Sequence, residues 1–250
     1  MKIGFFDSGI GGLTVLNEAL KILPNENYIY YADSDNVPYG NKSKDEIKKY
    51  VFEAVDFLAK KNLKALVIAC NTATSVAIED LRKSFPFPII GMEPAVKPAI
   101  NLSNNKRILV FATELTLKET KFSKLINQID KTQQINFIPL QELVIYAENF
   151  NFDKKIIHNY LKEKLSKINL EEYGTIVLGC THFPYFKNDI SELVPEGIQI
   201  IDGNKGTVNH LKNILGENIG HGNGNIEFYQ SGRVAEKEKF TRYFDRMKEL

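Results

Sequence analysis

The sequence predicts an α/β protein built from two similar three-layer α/β domains with mainly parallel sheets and the active site in the cleft between them. Three observations predict it. Apolar, β-branched runs alternate with amphipathic helical patterns, as parallel strands covered on both faces require. Two of those runs, Ala65-Leu66-Val67-Ile68-Ala69-Cys70-Asn71-Thr72 and Thr175-Ile176-Val177-Leu178-Gly179-Cys180-Thr181-His182, end alike, in a cysteine followed by polar residues. Each is the third strand of a strand–helix–strand–helix–strand series, and the series recurs 110 residues later. Groups just past the carboxyl end of a parallel strand face the crevice where open α/β sheets bind ligands. The only two cysteines in 250 residues are therefore expected on opposite walls of one small-molecule site.

The first strand, Ile3 to Phe6, ends in Asp7-Ser8-Gly9-Ile10-Gly11-Gly12-Leu13-Thr14. Such a glycine turn lets backbone approach a ligand closely. Its spacing is not that of a dinucleotide fingerprint, and Asp33 is the one candidate for the acidic partner. Asp7 reads equally as a carboxylate that orients a neighbour and as a helix N-cap. The second strand, 27–32, leads to a loop with Val37-Pro38-Tyr39-Gly40, where Tyr39 is either a rim packing residue or a ligand contact. Residues 44–61 form a helix with the apolar face Ile47, Val51, Ala54, Val55 and Leu58. After Cys70, Asn71 and Thr72 open a helix, as plain caps or as hydrogen-bonding groups for a carboxylate. A strand at 88–92 and a crossover at 93–100 lead into the second series.

That series has a strand at 107–112, a helix from Thr116 to about Asp130 with Phe122, Leu125, Ile126 and Ile129 inward, and a strand at 135–139. Residues 140–149 carry Glu142 and Glu148. A helix at 153–167 directs Ile156, Ile157, Tyr160, Leu161, Leu165 and Ile168 inward, and the strand to Cys180 follows. A strand at 198–202, a helix at 204–215, a strand at 226–230 and a helix at 236–250 close the chain. The last elements are expected to return to the first half. The domains are thus 1–95 plus about 208–250, and 96–207.

Net charge of +1, from 32 basic and 31 acidic residues, gives no field to attract nucleic acid or an anionic membrane. No apolar run approaches the ~18 residues of a membrane span, and the opening Met1-Lys2-Ile3-Gly4-Phe5-Phe6 reads as a strand, not a signal peptide. A cytoplasmic protein with reduced thiols is expected, so a disulfide is not. No Cys-x-x-Cys and no His pair at helical spacing calls for a metal.

A cysteine nucleophile needs one thiol and a neighbouring histidine, which Cys180 and His182 supply; Cys70 is then unexplained. Two thiols on opposite faces of one carbon suit another task. One removes a proton from a stereocentre and the other returns a proton to the opposite face, inverting it. Asp7 beside Cys70 and His182 beside Cys180 would hold or shuttle protons. Ser8, Asn71, Thr72 and Thr181 would fix the polar ends of an amino acid.

Asp7-Ser8-Gly9-Ile10-Gly11-Gly12, Val37-Pro38-Tyr39-Gly40, Ala69-Cys70-Asn71-Thr72-Ala73 and Gly179-Cys180-Thr181-His182-Phe183-Pro184 together resemble the four motifs of the glutamate racemases, within the aspartate/glutamate racemase superfamily. The resemblance spans most of the chain in the same order. It implies a cofactor-independent, homodimeric racemase that makes D-glutamate for peptidoglycan. Cys70 and Cys180 would be the two proton donor-acceptors, and Asp7 and His182 would assist. Substrate contacts would come from Asp7, Ser8, Tyr39, Gly40, Asn71, Thr72, Thr181 and His182. The family's second-half glutamate is matched loosely by Glu148, chosen over Glu142. The stretch Ala112-Thr113-Glu114-Leu115-Thr116 stands where the family has a threonine-rich turn, with Glu114 either weakening anion binding there or pointing outward. The alternatives are an aspartate or related amino-acid racemase, a single-cysteine hydrolase, and a non-catalytic amino-acid-binding protein.

Overall fold

Two sheets grow from the apolar runs. A computed structural model of the chain describes residues 1–119, 126–128, 130, 134–220 and 222–249. One sheet holds β1 (Lys2–Asp7), β2 (Tyr28–Ala32), β3 (Leu63–Ile68), β4 (Ile89–Gly91), β9 (Ile226–Gln230) and β10 (Arg233–Val234), in the order β10-β9-β2-β1-β3-β4. The other holds β5 (Arg107–Ala112), β6 (Ile135–Pro139), β7 (Tyr173–Leu178) and β8 (Gln199–Asp202), in the order β6-β5-β7-β8. Every described pairing is parallel except that of β9 with β10.

The sheets share a plan. The order β2-β1-β3-β4 is repeated as β6-β5-β7-β8. Each central pair carries a register shift at the same place: between Lys2 and Ile3 where β1 meets β3, and between Arg107 and Ile108 where β5 meets β7. β3 and β7 therefore occupy equivalent positions, and Cys70 and Cys180 leave the two sheets at matching strand ends.

The helices are α1 (Leu13–Ile22), α2 (Lys44–Ala59), α3 (Asn71–Ser84), α4 (Val96–Leu102), α5 (Glu114–Lys118), α6 (Gln141–Glu148), α7 (Lys154–Leu165), α8 (Lys187–Ser191), α9 (Asn204–Leu215) and α10 (Lys237–Lys248). α2 shows why the sequence folds as it does. Ser43 and Glu46 close a reciprocal capping box, and the five apolar residues spaced three and four apart are its buried face. One core cluster joins the halves, running from Ile3 and Phe5 of β1 through Leu13 and Leu16 of α1 to Leu109 and Phe111 of β5. The chain crosses to the second sheet after β4 and comes back after β8, where α9 packs on α1 and β9 pairs with β2.

Three expectations change. The helix after β5 runs from Glu114 to Lys118, not from Thr116 to about Asp130: the Thr113 hydroxyl caps the Thr116 amide, and the backbone turns extended at Glu119. Of the residues assigned to its inner face, Phe122, Leu125 and Ile129 lie outside the described residues, and Ile126 packs against the small cluster around Val110 and Val177. In α7, Ile157, Leu161 and Leu165 are buried, but Ile156 is 42% exposed. Ile156 is one position off the 157–161–165 stripe, so helical geometry turns it outward. β10 was unexpected; two exposed residues give no pattern to read.

Candidate active site

The two strand ends face one another across a narrow cleft. It is lined by Ser8, Tyr39, Gly40, Cys70, Asn71, Thr72, Cys180, Thr181 and His182, all expected from the sequence, and also by Pro38, Thr113, Gln141 and Val144. Asp7 and Glu148 stand one layer behind: Asp7 touches Thr181, and Glu148 touches His182.

On the first wall, Cys70 is the N-cap of α3, its sulfur accepting the Ala73 amide at 3.4 Å while its thiol donates to the Ser8 hydroxyl at 3.6 Å. Burial pushes the Cys70 pKa up to about 12, the Asp7 charge adds to the rise, and the Ala73 and Ser8 hydrogen bonds oppose it. Asp7 is fully buried. It accepts hydrogen bonds from the Gly9 amide at 3.3 Å and the Thr181 hydroxyl at 3.2 Å. Burial raises its pKa to about 6 against the opposing charge of His182 and the amides of Gly12 and Gly9. Asp7 is thus poised to change protonation near neutral pH.

The second wall is a chain of contacts. Cys180 Sγ lies 3.7 Å from His182 Nδ1, and His182 Nε2 lies 2.7 Å from Glu148 Oε1, which also accepts the Ile10 amide at 2.8 Å. Burial alone disfavours the His182 imidazolium. The hydrogen bonds and charges of Cys180 and Glu148 outweigh it, and the pKa stands well above the ordinary histidine value. Glu142, the other acidic residue on α6, is exposed.

The glycine turn serves this contact between halves. A Cβ at Gly9 would fall on the Glu148 carboxylate, and one at Gly11 on the Thr181 hydroxyl and the His182 ring. Asp33 is no ribose partner: it accepts hydrogen bonds from the Tyr39 hydroxyl at 2.6 Å, from Asn36 and from Ser231. Tyr39 therefore meets the cleft with its ring and backbone. Opposite, the hydroxyls of Thr72, Thr113 and Thr116 form a triangle with sides of 3.2, 3.2 and 2.9 Å, joining the two halves. Glu114 is exposed, 3.3 Å from Lys118, and points away from it.

The Asp/Glu/Hydantoin racemase model matches residues 13–211. The chain belongs to the Asp/Glu/Hydantoin racemase family. It is 55% identical to the glutamate racemase of Halothermothrix orenii over 254 aligned positions, covering 100% of both chains. Among solved structures, this racemase resembles a glutamate racemase isoform of Bacillus anthracis with a TM-score of 0.85 at 30% identity, covering 100% of this chain and 94% of that one. It also resembles the Escherichia coli glutamate racemase solved with L-glutamate and the activator UDP-MurNAc-Ala, with a TM-score of 0.82 at 28% identity, covering 94% and 99%.

Of the racemase's cleft residues, sequence reasoning passed over Gln141 and Val144. They precede Glu148 by seven and four positions and share its helix face. That spacing was the available signal. Among the described residues, no group of three or more His, Cys, Asp and Glu is placed to hold a metal, and no helix is long and apolar enough to cross a membrane.

Proposed function

We propose that this racemase interconverts L- and D-glutamate by two-thiol proton transfer at the α-carbon, without a cofactor. The observation that carries the reading is the pair of cysteines at equivalent strand ends, on opposite walls of one cleft, each with its own proton partner. The 55% identity to a glutamate racemase, and the L-glutamate bound by the E. coli relative, support glutamate as substrate.

In one direction the Cys180 thiolate takes the α-proton. The C–H bond breaks, its electron pair spreads into the α-carboxylate, and the Cys70 thiol gives its proton to the other face. The reverse direction exchanges the roles. Turnover from L to D leaves Cys70 as thiolate and Cys180 as thiol; Asp7 then resupplies a proton to Cys70, and Cys180 loses its proton to solvent, the His182 imidazolium held by Glu148 favouring the thiolate. The buried cleft keeps water from the carbanion-like species and strengthens its hydrogen bonds. Thr72 and Thr113, with Thr116 behind them, supply donors for the side-chain carboxylate. Ser8, Asn71, Thr181 and the Tyr39–Gly40 backbone hold the amino and α-carboxylate groups. An aspartate racemase would need a cleft shorter by one methylene, a difference worth only ~1–3 kcal/mol of discrimination.

We further assign each sheet to its own domain, residues 1–95 with about 208–250, and 96–207. The enzyme acts as a cytoplasmic homodimer that supplies D-glutamate to peptidoglycan synthesis. The Cys180–His182–Glu148 chain favours one competing reading, a cysteine hydrolase. The deciding experiment is proton NMR of L-glutamate with the enzyme in D2O, with polarimetry on the same sample. Exchange of the α-proton with decay of rotation is the expected result. Cys70→Ser and Cys180→Ser should each abolish racemisation, and each should still exchange the α-proton of one enantiomer. A Cys70→Ser enzyme that racemises at the wild-type rate would sink the two-thiol mechanism. No exchange by the wild type, with cleavage of an amide or ester through a covalent adduct at Cys180, would establish the hydrolase.

A further inference from the structure

α6 presents Gln141, Val144 and Glu148 at positions i, i+3 and i+7, one face of a helix. Glu148 reaches His182, and Val144 and Gln141 line the cleft. Gln141 differs from the hydroxyl groups there. Both its amide oxygen and its amide nitrogen are buried with no hydrogen-bond partner in the protein. By contrast, the hydroxyls of Ser8, Thr72, Thr113 and Thr181 all have partners. A buried polar group without a partner is destabilising, so a helix residue that keeps one in a ligand cleft points to a ligand that supplies the missing bond.

The opposite wall fits this amide. Gln141 belongs to the second half and Gly40 to the first, and a Cβ at position 40 would fall on the Gln141 amide oxygen. Glycine at 40 is what lets the amide lie across the cleft against the Tyr39–Gly40 turn. The amide thus closes one side of the cleft over whatever lies between the thiols. We propose that Gln141 is a substrate-positioning residue, its Nε2 donating a hydrogen bond to a carboxylate of the bound glutamate while its side chain seals the cleft against Gly40. This rests on the glutamate reading above. It assigns to α6 a second task besides orienting His182: one helix would hold both the substrate and the imidazole beside Cys180.

The test compares Gln141→Leu, of similar size but apolar, and Gln141→Glu with the wild type. Initial rates in both directions are measured together with thermal melts with and without D-glutamate. A hydrogen bond to a charged group is worth about 1.5–3 kcal/mol, so Gln141→Leu should raise KM for both enantiomers roughly 10- to 100-fold, with kcat changed much less. Its melting temperature without ligand should equal or exceed the wild type's, because an unpaired amide is gone, and the upward shift on adding D-glutamate should shrink. Gln141→Glu, which sets a carboxylate against a carboxylate, should raise KM further. Unchanged KM and an unchanged ligand shift in Gln141→Leu would overturn the proposal and leave Gln141 as packing. The two readings fail differently. A wild type that binds D-glutamate through Gln141 but never racemises it overturns the catalytic reading and supports this one. A wild type whose melting temperature D-glutamate leaves unmoved overturns both.

Discussion

Asp7 is fully buried with a pKa near 6, against 3.8 for an exposed carboxyl. Folding raises this pKa, so the associated stability is fully present below the unfolded value and is lost as pH rises through the folded one. Two units amount to about 3 kcal/mol once the group is ionised in both states, and about half of that at pH 5. Asp7→Asn should therefore stabilise the protein more at pH 8 than at pH 5 while depressing racemisation; a pH-independent gain in a pair of urea titrations would contradict the burial argument. Glu148→Gln tests the other wall. Its carboxylate is one of the two partners that hold the His182 imidazolium up against burial. Without it the imidazolium should be lost at lower pH, and the limb of the pH–rate profile that needs protonated His182 should shift downward. An unmoved limb would mean that Glu148 only positions the ring. At this scale the thiols were legible because each ends an apolar run, and Glu148 was nearly ambiguous with Glu142. Helix phase separates those two: Glu148 faces His182 behind the cleft and Glu142 faces solvent. Gln141 could be placed on the Glu148 face by its spacing, but its meaning depends on Gly40, a residue about 100 positions away that only the packing of the two halves brings near.

Cys70 and Cys180 end equivalent strands but begin different elements. Cys70 caps α3 with its sulfur, whereas Cys180 is followed by a short 3-10 turn at Phe183–Phe186 whose first amide bonds the Cys180 carbonyl. A cap is worth about 1 kcal/mol, and serine caps well where alanine does not. Cys70→Ala should lose about that much, some 2–4 °C in melting temperature for a chain of this size, while Cys70→Ser should lose none. Both should be inactive. Equal melting temperatures for the two would show that the sulfur contributes nothing as a cap. The same reasoning explains which element boundaries could be read beforehand. α2 has its capping box written in Ser43 and Glu46, and its inner face in five spaced apolar residues. α5 has only Thr113 and Thr116, both drawn into the hydroxyl triangle with Thr72, so its start looked two residues later than it is. Capping signals in a binding loop have a second use, and the pattern alone does not separate the uses.

At the scale of the molecule, the duplication was visible as a repeated strand–helix rhythm, and the matched sheet orders and matched register shifts give it a geometric form. What the rhythm could not convey is how tightly the halves meet. Gly9 and Gly11 allow backbone of the first half to press on Glu148, Thr181 and His182 of the second, and Cys70 and Cys180 are only 6% and 8% exposed. With the thiols this enclosed, parting of the two halves to admit glutamate is the expectation to test. The protein's own two cysteines report on that motion, since no other thiol competes. Iodoacetamide should modify both thiols far more slowly than it modifies them in the urea-unfolded chain, at a rate set by opening. Saturating D-glutamate should hold the halves together and slow both modifications at least 10-fold, whichever thiol is followed by peptide mass spectrometry. If D-glutamate protected one cysteine and left the other as reactive as before, the ligand would be resting on a single wall. The two sheets would then not close on it as one site, and opposed thiols would lose their shared substrate.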